Sequence, residues 1–184
     1  MTEEALPTFV YHPDPVGTGS VVRTSAAFVC CGRARGLIYA GPVYTAEMLD
    51  GRICPWCIAD GSAHAKLGAE FTDAGGIGGA VDEAAVPKAV VETVATRTPG
   101  FHGWQQERWW THCGDAAVFL GRAGAEDVQR HGADTKQHLR RDLGWALGPD
   151  FDDYVASLDA EGQPTAYLFR CRHCGVVGGY SDYT

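Results

Sequence analysis

The chain has 184 residues, enough to bury one good core and too few for two full-sized domains, so a single domain over residues 1–184 is expected. Hydrophobic residues make up 45% and include five tryptophans, which excludes a disordered chain, while 24 glycines argue for short elements and tight turns rather than a helical bundle. Fifteen Lys and Arg against 23 Asp and Glu give a formal net charge of −8, which opposes nucleic-acid binding and leaves a basic protein as the partner that charge would steer in.

The predicted fold is α+β: a single irregular domain with short β-strands, zinc-knuckle-like turns and several short helices. "MTEEALPTF" lacks the basic and apolar regions of a signal peptide, and no apolar run reaches the roughly 18 to 20 residues that cross a bilayer. A cytoplasmic protein without membrane contact is therefore expected. "TFVYHPDPVGTGSVV" reads as an extended edge segment ending in a turn, and "AAFVCCGRARGLIYAGPVY" as two short strands joined near Cys31 and Gly32. "TAEMLDG" predicts one or two helical turns capped by Thr45 and ended by Gly51. After Cys57, Asp60 or Ser62 can cap a helix that places Ala63, Leu67 and Phe71 on one face.

"TDAGGIGGAVDEAA" lacks the spacing of a dinucleotide or P-loop fingerprint and reads as a loop. Pro87 suits the first turn of a helix carrying Val90, Val91 and Val94, which stops before a type II turn at Pro99 and Gly100. "WQQERWWTHC" predicts a helix with Gln105, Trp109, His112 and Cys113 on one face. "AVFLG" predicts a buried strand, "DTKQHLRRDLGWAL" and "DFDDYVASLDA" helices, and "TAYLFRCRHCGVVGGY" a closing strand, turn and strand. The basic "HLRR" is a solvated helix face.

Seven cysteines in a reducing compartment point to metal binding or to burial as small apolar side chains. Two C-x2-C turns occur, Cys54/Cys57 in "CPWC" and Cys171/Cys174 in "CRHCG". Such a turn offers two thiolates to one tetrahedral zinc ion, and Gly175 permits the tight reversal after the second. "FVCCG" fits the frame of "CRHCG", with Cys31 matching Cys174 and Phe28 standing where a first cysteine would be. Cys30 and Cys31, adjacent on a strand, would point to opposite faces. The expected arrangement is two zinc sites, Cys31/Cys54/Cys57 and Cys113/Cys171/Cys174, each completed by His112 or by water; free buried thiols are the alternative. Cys54/Cys57 also has oxidoreductase spacing, but "MLDGRI" is too short and polar for the buried strand that precedes such a dithiol.

"TPGFHGWQQERWWTHCGD" collects Gln105, Gln106, Glu107, His112 and Asp115 among Trp104, Trp109 and Trp110, a mix that could line a pocket. Glu107 and His112 beside a metal could activate water, which makes a metal-assisted hydrolase the alternative function. No H-E-x-x-H, G-x-S-x-G or deaminase pattern accompanies them. A helix histidine satisfied by its neighbours and tryptophans packed in a core are the commoner meanings of these residues.

Through "YHPDP", "CPWCIADGSA", "RTPGFHGWQQERWWTHCGD" and "YLFRCRHCG" the chain resembles the CbrC, or colicin-tolerance, protein family from Tyr11 to about Asp182. The resemblance implies a soluble bacterial protein without an established activity, named for a tolerance phenotype; the acidic charge, the structural use of cysteine and the absence of a catalytic motif favour a zinc-stabilised interaction protein that protects against a basic toxin. It also implies cysteines at the positions of Phe28 and Ala117, so that one ligand is missing from each proposed site.

Overall fold

The computed structural model describes residues 4–78, 85–146 and 148–184. The fold is α+β, and its strands are short and antiparallel. β1 (Val21–Arg23) pairs with β2 (Leu37–Tyr39), β3 (Thr111–His112) with β4 (Asp115–Ala116), and β5 (Val118–Ala123), β6 (Thr165–Arg170) and β7 (Val177–Asp182) form a sheet in that order. Six α-helices are described: α1 (Pro55–Ala59), α2 (Ser62–Leu67), α3 (Lys88–Arg97), α4 (Ala125–His131), α5 (Ala133–Leu143) and α6 (Pro149–Ala156). None is long and apolar enough to cross a membrane.

The central strand β6 is "TAYLFR", and its first five residues are all buried, which explains why it reads as a continuous apolar run rather than an alternating one. Tyr167 and Phe169 join Phe119, Tyr180, Trp109 and Phe101 in an aromatic core on one side of the sheet. Phe101 stacks on Phe119 with ring centroids 3.9 Å apart. Ala166 and Leu168 join Val128, Leu139, Phe151 and Val155 of α4, α5 and α6 on the other. A third cluster, Val21, Phe28, Tyr39, Ile53, Ile58 and Phe71 among it, fills the N-terminal part of the chain.

The elements differ from expectation in several places: the strand expected just before Cys31 is absent, because β1 lies upstream at Val21–Arg23 and residues 24–36 form no strand. Residues 45–51 form no helix: Thr45 donates its hydroxyl to the carbonyl of Leu67, at the end of α2, and Leu49 alone enters the core while Met48 beside it is 87% exposed, so one side chain rather than a helical stripe anchors the segment. Residues 104–110 are irregular rather than helical and lead into β3. α2 ends at Leu67 against a left-handed Gly68, leaving Phe71 beyond the helix. The polar α4 begins where Asp127 accepts a hydrogen bond from the Gly124 amide, and only Val128 on it is buried. The Gly-rich run contains a 3₁₀ turn at Ala74–Gly76, and its residues 79–84 lie outside the described residues.

Candidate metal centres

Two turns from distant parts of the chain meet at the first cluster of donors. The β3–β4 hairpin reverses over Cys113 and Gly114, whose φ angles are 55° and 70°. Two consecutive left-handed residues are the signature of the hairpin turn that favours Asn-Gly, so a cysteine there is held in a conformation its side chain disfavours. The β6–β7 turn is closed by hydrogen bonds from the Cys171 amide to Val176 O (2.9 Å) and from the Gly175 amide to Cys171 O (3.1 Å).

Cys113 Sγ then lies 3.2 Å from His112 Nδ1 and 3.9 Å from Cys174 Sγ, and Cys174 Sγ lies 3.5 Å from the same ring nitrogen. The four donors of His112, Cys113, Cys171 and Cys174 are all within 4.8 Å of one another. A tetrahedral zinc ion with sulfur at about 2.3 Å and nitrogen at about 2.0 Å needs S···S near 3.8 Å and S···N near 3.5 Å. The donors fit that geometry. His112 supplies the fourth of them, where the sequence had left it open between His112 and water.

The surroundings hold these ligands in place. The ring of His112 stacks on Trp110 with centroids 5.3 Å apart and meets His138 edge-on. Trp110 can lie on β7 because Gly178 has no side chain: a Cβ there would stand 2.5 Å from the indole. Asp115, opposite His112 in the hairpin, accepts from Tyr11 (3.0 Å) and Arg172 (2.7 Å), and His173 Nε2 lies 3.1 Å from it. Burial disfavours the charge on Asp115, yet these partners hold its carboxyl below the ordinary range. Arg172 and His173 are the middle residues of the C-x2-C turn, so Asp115 ties one donor-bearing turn to the other. Burial likewise opposes ionisation of Cys171, but the amides of Cys174 and His173 overcome it and set the thiol at about 6.

The second cluster is built on a turn of the same shape. The Phe28 amide donates to Arg33 O (3.2 Å) and the Gly32 amide to Phe28 O (2.8 Å), repeating the pair of bonds that closes Cys171–Val176. Gly32 (φ 66°) takes the place of Gly175 (φ 76°). Cys31 is therefore in the position of Cys174, and Phe28 in that of Cys171. Opposite, Cys54 and Cys57 stand at the start of α1. Cys31 Sγ is 3.7 Å from Cys54 Sγ, which is 3.3 Å from Cys57 Sγ. Burial raises the pKa of Cys54 and of Cys57; for Cys31 burial is outweighed by the Arg33 amide, the neighbouring thiols and Arg35, and its pKa falls. Cys30 Sγ touches Ser62 Oγ at 3.4 Å and borders Cys57. Among the described residues these two clusters are the groups of His, Cys and acidic side chains able to hold a metal ion.

The remaining candidates are dispersed. Glu107 is buried and accepts a 2.5 Å hydrogen bond from Tyr44, whose hydroxyl in turn accepts from Gln106 (2.8 Å). Burial raises its pKa. His112 belongs to the cysteine cluster, and among the described residues it shares no hydrogen-bond partner with Glu107. The Trp104 indole donates to Gly162 O and Thr165, and that of Trp109, inside the aromatic core, to Ala117 O. Ala117 is fully buried. The sequence reading missed Tyr11 and Arg172 as supports of the cluster; Asp115 was noticed, but for a catalytic pocket. The available signal was the position of Asp115 directly after a Cys-Gly turn.

Fold and donors together define a cysteine-rich α+β protein with two candidate metal centres carried on pairs of turns. The chain belongs to UPF0167, an uncharacterised protein family whose profile matches residues 6–183. It is 47% identical over 184 residues to a UPF0167 protein of Mycobacterium bovis, covering 99% of this chain and 96% of that one. It is 39% identical over 180 residues to a UPF0167 protein of Pseudomonas aeruginosa, covering 97% and 98%. The family match and the designations of these relatives overturn the resemblance to the CbrC family, and the expectation of colicin tolerance loses its support with it. No solved structure matches the chain.

Proposed function

We propose that the protein is a zinc-stabilised interaction protein. The observation that carries this reading is the donor set of His112, Cys113, Cys171 and Cys174, four ligands at tetrahedral spacing with no position left open. Three thiolates and one imidazole are a structural zinc set, whereas a catalytic zinc keeps a site for water or substrate. Zinc here joins the β3–β4 hairpin to the β6–β7 turn and so fixes the edge of the main sheet.

The surface that such a frame presents is a cleft of about 450 Å³ lined by Leu143, Trp145, Tyr154, Gln163, Pro164 and Tyr183. Trp145 and Tyr183 are 38% and 57% exposed. Asp150 stands beside Trp145 in an adjoining hollow, and Asp142 and Asp182 line another that shares Leu143 and Tyr183. Arg108, the cation of that hollow, and Asp142 neutralise each other in a double hydrogen bond, so the charge offered to a partner comes from Asp150 and Asp182. Aromatic faces with carboxylates at their rim suit the Lys or Arg side chains of a basic partner segment.

The test has two parts. Elemental analysis of purified protein is expected to give at least one zinc per chain, and a chelator to lower its melting temperature; metal-free protein with an unchanged melt would sink the zinc reading. A Lys/Arg-rich peptide is then expected to quench Trp145 fluorescence, more weakly at high salt and not in Trp145→Phe. Equal binding of an acidic peptide would sink the choice of partner.

A further inference from the structure

We propose that Cys31, Cys54 and Cys57 form a three-thiolate site for a soft monovalent metal ion, Cu(I), whose preference differs from that of the His112/Cys113/Cys171/Cys174 centre. The inference uses residues outside the proposed zinc centre but rests on that reading for the contrast in metal preference, and its test starts from protein with that centre filled.

The argument turns on the number of donors. The turn at Phe28–Arg33 has the same two backbone hydrogen bonds and the same left-handed glycine as the turn at Cys171–Val176. The fourth ligand is thus not displaced to another part of the fold; its position is filled by the phenyl ring of Phe28, 2% exposed. Among the described residues no fourth His, Cys or carboxylate donor joins these three. Cys30 borders Cys57, but its sulfur is engaged by Ser62 at 3.4 Å. Water is a poor substitute on the inner side, where Ile53, Ile58, Phe71 and the two cysteines of "CPWC" are all buried and offer it no polar partners.

Zinc in a structural site is almost always four-coordinate, whereas a thiolate set that stops at three suits a soft ion such as Cu(I). The S···S separations of 3.7 and 3.3 Å put the thiols within reach of one small ion. On binding, three S–H bonds are exchanged for three Cu–S bonds. The three protons pass to solvent, and copper remains Cu(I), so no electron moves and no oxidant is needed. The resulting complex carries two negative charges. The Arg33 amide at Cys31 offsets part of this charge, as does Arg35, which stacks over Trp56 beside Cys57 and is shared with Glu4 at 3.2 Å.

Reduced full-length protein holding one zinc is titrated anaerobically with Cu(I) against a colorimetric Cu(I) chelator. One equivalent of copper is expected to bind without releasing zinc, and X-ray absorption to show sulfur alone around it, three atoms in number. Cys54→Ser loses the copper and Cys30→Ser keeps it. Phe28→Cys completes a tetrahedral set and is expected to hold a second zinc about 100-fold more tightly than the parent, a gain that misfolding could not produce. The proposal is overturned if no copper binds, if copper displaces zinc first, if the parent holds two zinc ions equally tightly, or if Cys30→Ser loses copper as fully as Cys54→Ser.

Discussion

The buried His12 makes the stability of the fold depend on pH in a calculable way. Its ring is wholly inaccessible, with Nδ1 2.7 Å from Pro99 O and Nε2 2.7 Å from Thr18 Oγ1. A carbonyl can only accept, so Nδ1 carries the proton; in the neutral ring Nε2 accepts from the Thr18 hydroxyl, for which it competes at 2.7 Å with Asp14 O at 3.2 Å. Burial lowers its pKa from 6.5 to about 4, against the opposing pull of Pro99 O and Asp14. A lowered folded pKa means stability that is present above pH 6.5 and is lost as pH falls toward 4, because the unfolded chain takes up a proton that the folded one refuses. The loss is about 2 kcal/mol between pH 7.5 and pH 5, and about 3 kcal/mol by pH 4. Asn in place of His12 keeps a donor for Pro99 O and never titrates. Urea unfolding of His12→Asn and of the parent at pH 7.5 and pH 5 gives a double difference in which acid effects on the cysteine clusters cancel. The parent should lose about 2 kcal/mol more than the variant. Equal losses, or an NMR titration placing His12 near its ordinary value, would refute the reasoning.

Three further outcomes follow from named contacts. His112→Ala should weaken zinc about 100-fold while His112→Cys retains it, as read by zinc transfer to a colorimetric chelator; equal retention by Ala would remove His112 from the centre. Gly179→Ala would bring a Cβ to 1.9 Å from the Tyr167 carbonyl across the β6–β7 pair, and should cost about 2 kcal/mol or more in urea unfolding. Glu107, whose pKa burial raises, gives up stability as pH rises through its folded value, so Glu107→Gln should gain on the parent between pH 4 and pH 7; a variant that loses ground over that range contradicts the assignment.

The α+β character and the closing strand, turn and strand were legible because β6 and β7 carry dense β-formers around an unmistakable "CRHCG" turn. The helix expected at 104–113 was not there, although Gln105, Trp109 and His112 have helical spacing. Its tryptophans serve separate neighbours: Trp104 reaches Gly162 and Thr165, Trp109 enters the aromatic core, and Trp110 lies on β7. Spacing along a chain is silent on whether side chains face one partner or three. The same limit hid the role of His112. A histidine beside a cysteine has no periodicity to read, and only the reversal at Cys113–Gly114 turns both side chains toward Cys174.

The equivalence of the turns at Phe28 and Cys171 also separates what metal does from what the backbone does. With phenylalanine at the first position, the turn closes with the same two hydrogen bonds as with cysteine. Glycine after the second cysteine and the backbone amides are thus sufficient to shape it. A metal at Cys171 and Cys174 is not required for their local turn; what it would add is a tie to His112 and Cys113, some 60 residues earlier, where chain entropy resists contact. That tie would fall between β4, which leads directly into β5, and the turn joining β6 to β7. It would clamp one end of the main sheet, across the central strand, at the point where Asp115 already draws in Arg172 and His173. In the N-terminal cluster Phe28 stands at the corresponding first position and packs into the core, so its turn is held by apolar contact rather than by a thiolate.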